Sequence, residues 1–178
     1  VTLVDRLIAP GATRGEIVAG FTTAAAGGLL GLAIAWRAGL SALAVAVLTV
    51  VCFDLFGGAV VNATDSAKRW YHRAGRTRVH HFAFVALHLH PFVLALVVPG
   101  FSWVAAAVTY TTVLIATVAI EFAPAALRRP VAFAVTTLGM TVVIAFLAVP
   151  AAFAWIIPVL MIKLLLAYML PERPTPSS

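Results

Sequence analysis

The chain has 178 residues, of which 63% are hydrophobic and 10% charged, with a mean hydropathy of +1.07 and a formal net charge of +6. Soluble domains carry roughly 25% charged residues, so the composition excludes a soluble domain and makes a bilayer the expected solvent. The basic residues flank apolar runs, which ties the positive charge to membrane insertion and anionic lipid and excludes nucleic acid as a partner.

Residues 1–16 mix polar and apolar side chains and are interrupted by Pro10-Gly11. This reads as a short segment on the inner leaflet and not as a signal peptide. A spanning helix needs about 20 predominantly apolar residues. Six such stretches follow: 17–36, 38–62, 81–99, 101–120, 131–147 and 150–170. The third and fourth are parted only by Gly100, and the fifth and sixth by Ala148-Val149. The expected fold is therefore all-α, a bundle of six transmembrane helices in tight hairpins. Residues 1–170 form one transmembrane domain and 171–178 a disordered tail. Lys and Arg stay cytoplasmic in short loops. With six spans, eleven of the twelve fall on one side, Lys163 included, and only Arg37 falls on the other. Both termini are thus expected in the cytoplasm, with the protein in a bacterial inner membrane. Gly27-Gly28 and Gly31 in the first stretch suit close helix packing. Cys52 stands alone, so no intramolecular disulfide forms, and it is read as a small packing residue.

The polar residues concentrate between positions 52 and 91, which hold all five histidines. In the second stretch Asp54, Gly58, Asn62, Asp65, Arg69 and His72 follow one another at steps of three or four. If one helix continues through them, they share a face. In the third stretch His81 and His88 are seven apart and also share a face. The hairpin then sets Asp54 against His88, with Asp65, His80 and His81 meeting nearer the surface. Pro91 kinks the third helix, which turns His90 either toward this site or toward another helix. Glu121 and Lys163 fall in the same inner layer, and Lys163 is read as snorkelling or as pairing with Asp54 or Glu121. Ionisable residues inside a membrane are costly and usually face a bundle interior or a pathway. Here they occupy one side only, which argues for a one-sided site. Asp54 and His88 are its expected catalytic centre. Asp54, Asp65, His72, His80, His81, His88 and His90 are candidate ligands for Fe, Mn or Zn, the ions that imidazole and carboxylate suit. Asn62, Glu121 and Lys163 are supporting residues. No HExxH, GxGxxG, Walker A or GxSxG motif is present.

Asp54-x3-Gly58-x6-Asp65 with the His80-His81 pair resembles the membrane lipid desaturases of the Kua/CarF type. The resemblance covers about thirty residues. It implies a His-rich di-iron centre and oxidation of a lipid. That family has a histidine where Val61 or Asn62 stands here, and further histidines downstream, whereas this chain has none after His90.

Three function classes follow. The first is a metal-dependent enzyme, an oxidoreductase by the resemblance, acting on a lipid or isoprenoid at the inner leaflet. The second is a small transporter or channel using Asp54, His88 and Lys163 as a proton or ion relay. The third is a non-catalytic assembly or haem-binding protein, which as a homo-oligomer would supply histidines from two helices. Anionic inner-leaflet lipids are the expected partners, held by the basic loop 68–78.

Overall fold

The computed structural model describes residues 8–172. Arg6, Arg173, most of the expected tail and the first part of the expected inner-leaflet segment lie outside the described residues. All regular structure among the described residues is helical: α1 Arg14–Arg37, α2 Ala42–Ala63, α3 Asp65–Tyr71, α4 Arg78–Ala86, α5 His90–Val97, α6 Trp103–Phe122, α7 Arg128–Phe146 and α8 Ile156–Met161, which widens into a π-helical stretch, Ile162–Tyr168. Five helices are long and apolar enough to cross a membrane when α4 and α5 are taken together, as expected of a multi-pass membrane protein.

Local chemistry sets the ends of these elements. A capping box starts α1: Glu16 N–H donates to Thr13 Oγ1 (3.2 Å) and Thr13 N–H to Glu16 Oε2 (2.7 Å). Helix α1 therefore begins three residues before the apolar run. Ser41 and Ser102 cap α2 and α6 through their hydroxyls. The positive φ of Gly39 and of Gly100 serves the tight turns between helices.

Among the described residues, helices α1 and α2 share the most extensive helix–helix contact. Glycine is what permits it. A Cβ on Gly31 would stand 2.5 Å from Cys52 Sγ, and one on Gly27 the same distance from the Phe56 ring. Small residues on one helix thus receive larger ones on the other, which gives the van der Waals contact on which helix association in lipid depends. Cys52 is buried in this seam, a packing residue as expected.

The sixth apolar stretch differs from expectation. Residues 150–155 form turns, and the helix Ile156–Tyr168 reaches only about 20 Å of a hydrocarbon core of about 30 Å. It is also the most enclosed element: Ile156, Met161 and Leu165 have no exposed surface, and Ile157 and Leu164 have 1%. Its apolarity answers mainly to protein neighbours, with Ile162 the one well-exposed large side chain of the helix at 42%. Two further helices break where one was expected. Thr64 takes extended backbone, ending α2 and capping α3 by accepting from Ala67 N–H. The third stretch divides at residues 87–89 into α4 and α5.

The contacts bring the basic segments to one end of the bundle. Glu16 at the start of α1 accepts from Ser66 N–H at the start of α3 (3.2 Å). Lys68 donates to the Leu170 and Ala167 carbonyls (2.6 and 3.3 Å) at the end of the last helix. His81 near the start of α4 meets Glu121 near the end of α6. Arg128 and Arg129, where α7 starts, line one hollow with Leu170 and Pro171. Arg37, at the far end of α1, lies at the opposite end.

Candidate functional site

Asp54 lies mid-way along α2, nine residues before its end, or about 13 Å along the axis. Its Oδ2 receives Lys163 Nζ at 2.5 Å and His90 Nε2 at 3.0 Å, and Lys163 also donates to the Asp54 carbonyl (3.3 Å). Burial is unequal: the Lys163 side chain is 3% exposed, while that of Asp54 is 49% exposed. Gly58, one turn beyond Asp54, lets the lysine lie there. A Cβ at Gly58 would be 2.4 Å from Lys163 Cε. An ammonium so deeply buried is tolerable because the carboxylate compensates its charge.

The expected Asp54–His88 pair does not form. His88 Nδ1 donates to the Phe84 carbonyl instead (2.7 Å), and His90 takes the carboxylate. Pro91 is the physical reason. It has no N–H and its ring excludes the carbonyl four residues back, so the helix cannot run through residues 87–91. The break frees carbonyls that cannot stay bare in an apolar bundle. Phe84 O loses the His88 amide, which turns to Val85 O, and gains the His88 imidazole. Ala86 O gains the Tyr110 hydroxyl (2.7 Å). The same break points His90 at Asp54, one of the two outcomes the kink allowed.

A second cluster sits nearer the basic end. His81 Nδ1 lies 2.5 Å from Glu121 Oε1, and its Nε2 donates to the Tyr71 carbonyl (3.2 Å). His72 Nε2 donates to the Tyr168 carbonyl (2.9 Å), and the His72 and His81 rings are 4.7 Å apart. Burial pushes the His72 imidazole below its ordinary range, and the neighbouring His81 and Lys68 act in the same direction against the Tyr168 bond. Phe84 stacked on Tyr168 at 3.9 Å stands between this cluster and the Asp54 cluster. The expected single layer is thus two sites.

Asp65 and His80 join neither. Asp65 is exposed in the first turn of α3, because the Thr64 break ends the stripe that was to carry it. His80 is exposed on α4, where its Nδ1 accepts from Thr77 N–H (3.2 Å). Lys68 and Arg69 of the basic loop are likewise engaged, Lys68 with the carbonyls already described and Arg69 with Glu172 (3.4 Å). Among the described residues no three His, Cys, Asp or Glu side chains converge as a metal ion requires. The carboxylates are held in pairs, Asp54 with His90 and Glu121 with His81, and the Asp54 oxygen is already met by an ammonium. The residues present do not fit the expected metal centre.

Beside Asp54 lies a cavity of about 400 Å³. Asp54, Asn62, His88 and Lys163 form its polar wall, and Phe21, Ala24, Phe53 and Gly57 are among its apolar lining. Asn62 is 4% exposed, and its Nδ2 has no hydrogen-bond partner among the described residues. Tyr110 and Tyr168 were not legible as site residues, since an aromatic in an apolar run carries no positional signal. Thr64 was, because Thr-Asp-Ser is a helix-start sequence. No family model, curated protein or solved structure matches the chain.

Proposed function

We propose that the chain crosses a bacterial inner membrane six times with both termini in the cytoplasm, and that its Asp54 site performs acid–base chemistry on a lipid or isoprenoid drawn from the inner leaflet. The observation that carries this reading is the Asp54–Lys163 pair on the wall of a largely apolar cavity, with His90 bonded to the same Asp54 oxygen. Lys163 pairs with the carboxylate, and His90 on the same oxygen is positioned to pass a proton. The half-exposed face of Asp54 is open to a substrate group. The Kua/CarF resemblance agrees with a lipid substrate. Its di-iron chemistry is not adopted, because the carboxylates are committed to Lys163 and to single histidines.

The second reading is a proton or ion relay through Asp54, His90 and Lys163, favoured by their shared oxygen. Against it, the charged residues other than Arg37 lie between the mid-point of the bundle, at Asp54, and its basic end.

One experiment separates the two. Host membranes carrying the wild type, Asp54→Asn or Lys163→Met are extracted and their lipids compared by mass spectrometry. A lipid species that changes with the wild type and with neither variant is the expected result. Identical extracts, with Asp54-dependent collapse of a pH gradient in proteoliposomes, would replace the enzyme by the relay. Stoichiometric Fe, Mn or Zn in the purified protein would return the site to metal chemistry.

A further inference from the structure

We infer that the cavity beside Asp54 takes the protonated amine head of an amphipathic molecule, whose apolar chain runs out toward lipid. This names the substrate class for the site above and rests on that reading. Asp54 Oδ2 holds both Lys163 Nζ and His90 Nε2, and Oδ1 has no partner among the described residues. The Asp54 side chain is 49% exposed, about 13 Å along α2 from its end. A carboxylate within a membrane pairs with a cation or faces a polar cavity. Lys163 satisfies one oxygen only, from the protein side: it lies over Gly58 with 3% of its side chain exposed. The ion pair thus turns its carboxylate toward the cavity and its ammonium toward protein. His88 lines the same cavity, and its Nδ1 donates to the Phe84 carbonyl. In the neutral ring Nε2 is then an acceptor, and it has no partner among the described residues. Asn62 gives the cavity no amide donor, because its Nδ2 is buried. The Tyr71 hydroxyl, also in the lining, can accept as well as donate.

Such a wall selects by charge and by the number of hydrogens a head group can donate. A protonated primary amine brings a positive charge and three N–H donors, enough for Asp54 Oδ1 and His88 Nε2 together. A hydroxyl has a single hydrogen to divide between them. A carboxylate or phosphate would stand against the open face of Asp54, with Lys163 buried and already paired, and like charges at close quarters discriminate by repulsion. The rest of the lining is mainly apolar, with Phe21 and Phe53 partly exposed at 40% and 43%. The volume of about 400 Å³ falls within the range of about 300–1,000 Å³ usual for small-molecule sites. It accommodates the head and first carbons of a chain, and the rest runs out past the two phenylalanines toward lipid. An amine without that chain would leave the apolar lining uncovered.

The test uses the whole chain in nanodiscs of phosphatidylcholine, whose zero net charge does not gather amines, and a dodecylamine bearing a diazirine near its middle. After photolysis, labelled peptides are located and counted by mass spectrometry. Labelling is expected on peptides containing Phe21 and Phe53. Excess dodecylamine should compete, while 1-dodecanol, dodecanoate and the short butylamine should each compete at least tenfold less well. Asp54→Asn removes the charge at similar volume and should reduce competable labelling about tenfold, whereas Leu29→Ala, on an exposed face of α1, should leave it unchanged. The competition series on the wild type reads the same claim should Asp54→Asn fail to fold. Equal competition by the alcohol or the acid, labelling that ignores dodecylamine, or full labelling of folded Asp54→Asn would each overturn the inference. Equal competition by butylamine would overturn it in favour of a water-soluble amine. Amine-selective labelling with unchanged lipid extracts would uphold this site and remove the chemistry. A lipid change without amine-selective labelling would do the reverse.

Discussion

Asp54 and Lys163 are coupled: each makes the other's charge tolerable, so removing one costs more than removing both. Asp54→Asn leaves a buried ammonium without its counter-charge. Breaking a fully buried pair costs about 3–5 kcal/mol. Because Asp54 is half exposed, a loss of about 1–3 kcal/mol is expected here. Asp54→Asn with Lys163→Met should lose less than the sum of the single variants, as measured by thermal unfolding of the detergent-solubilised proteins. Strict additivity would mean that the pair is not formed. His72 gives the residue scale a pH signature. Its folded-state affinity for protons is depressed by burial, so the unfolded chain binds more protons as pH falls through the ordinary histidine range of about 6.5. The stabilisation is therefore complete above that range and is lost on acidification toward the depressed value. Wild-type unfolding temperature should drop between about pH 7 and 5. The drop should be smaller in His72→Gln, which can still donate to Tyr168. An unchanged slope would remove His72 from the account.

At the scale of elements, the glycine seam of α1 against α2 and the break at Pro91 carry most of the specificity. Gly31→Ala places a methyl 2.5 Å from Cys52 Sγ and 3.2 Å from the Leu48 carbonyl, and the backbone cannot retreat as a side-chain tip can. Overpacking of this kind costs about 1–3 kcal/mol. Gly15→Ala, in the first turn of the same helix with its nearest neighbour 3.9 Å away, should instead be neutral or add up to about 1 kcal/mol through helix propensity. Thermal unfolding of the two variants side by side checks both signs. The Pro91 break does more than end a helix. It turns His90 onto Asp54 and uses the His88 imidazole as a backbone cap, so two histidines two residues apart have different work.

For the whole molecule, the decisive feature is that the basic segments share one end while Arg37 holds the other. Reporter fusions at both termini should read cytoplasmic, and a tag after Arg37 should read periplasmic. A periplasmic reading at one terminus alone would require an odd number of crossings, and at both would invert the bundle; either would overturn the proposed orientation. The last helix enters this balance although it is short, because most of it is buried among the other helices and its C-terminal carbonyls are met by Lys68.

Some of this was decided by the sequence alone. The all-helical class and the long apolar helices follow from composition and length, because a bilayer leaves the backbone few ways to satisfy itself. The one-sided placement of charge follows from counting Lys and Arg. Counting along the helices also placed Asp54, His88 and Lys163 at similar depths, and the Asp54–Lys163 pair was among the pairings it allowed, while Glu121 belongs to the second cluster. Periodicity assumes an unbroken helix, however, and two breaks defeated it. Thr64 cut Asp65 from the stripe, and Pro91 exchanged His90 for His88 at the carboxylate. Neither the direction of a kink nor the partners of a freed carbonyl are written in local sequence. They depend on which neighbour stands opposite, here Tyr110 and the last helix. The gathering of acids and histidines into pairs is likewise a matter of tertiary structure, since each pair joins helices that are far apart in the chain.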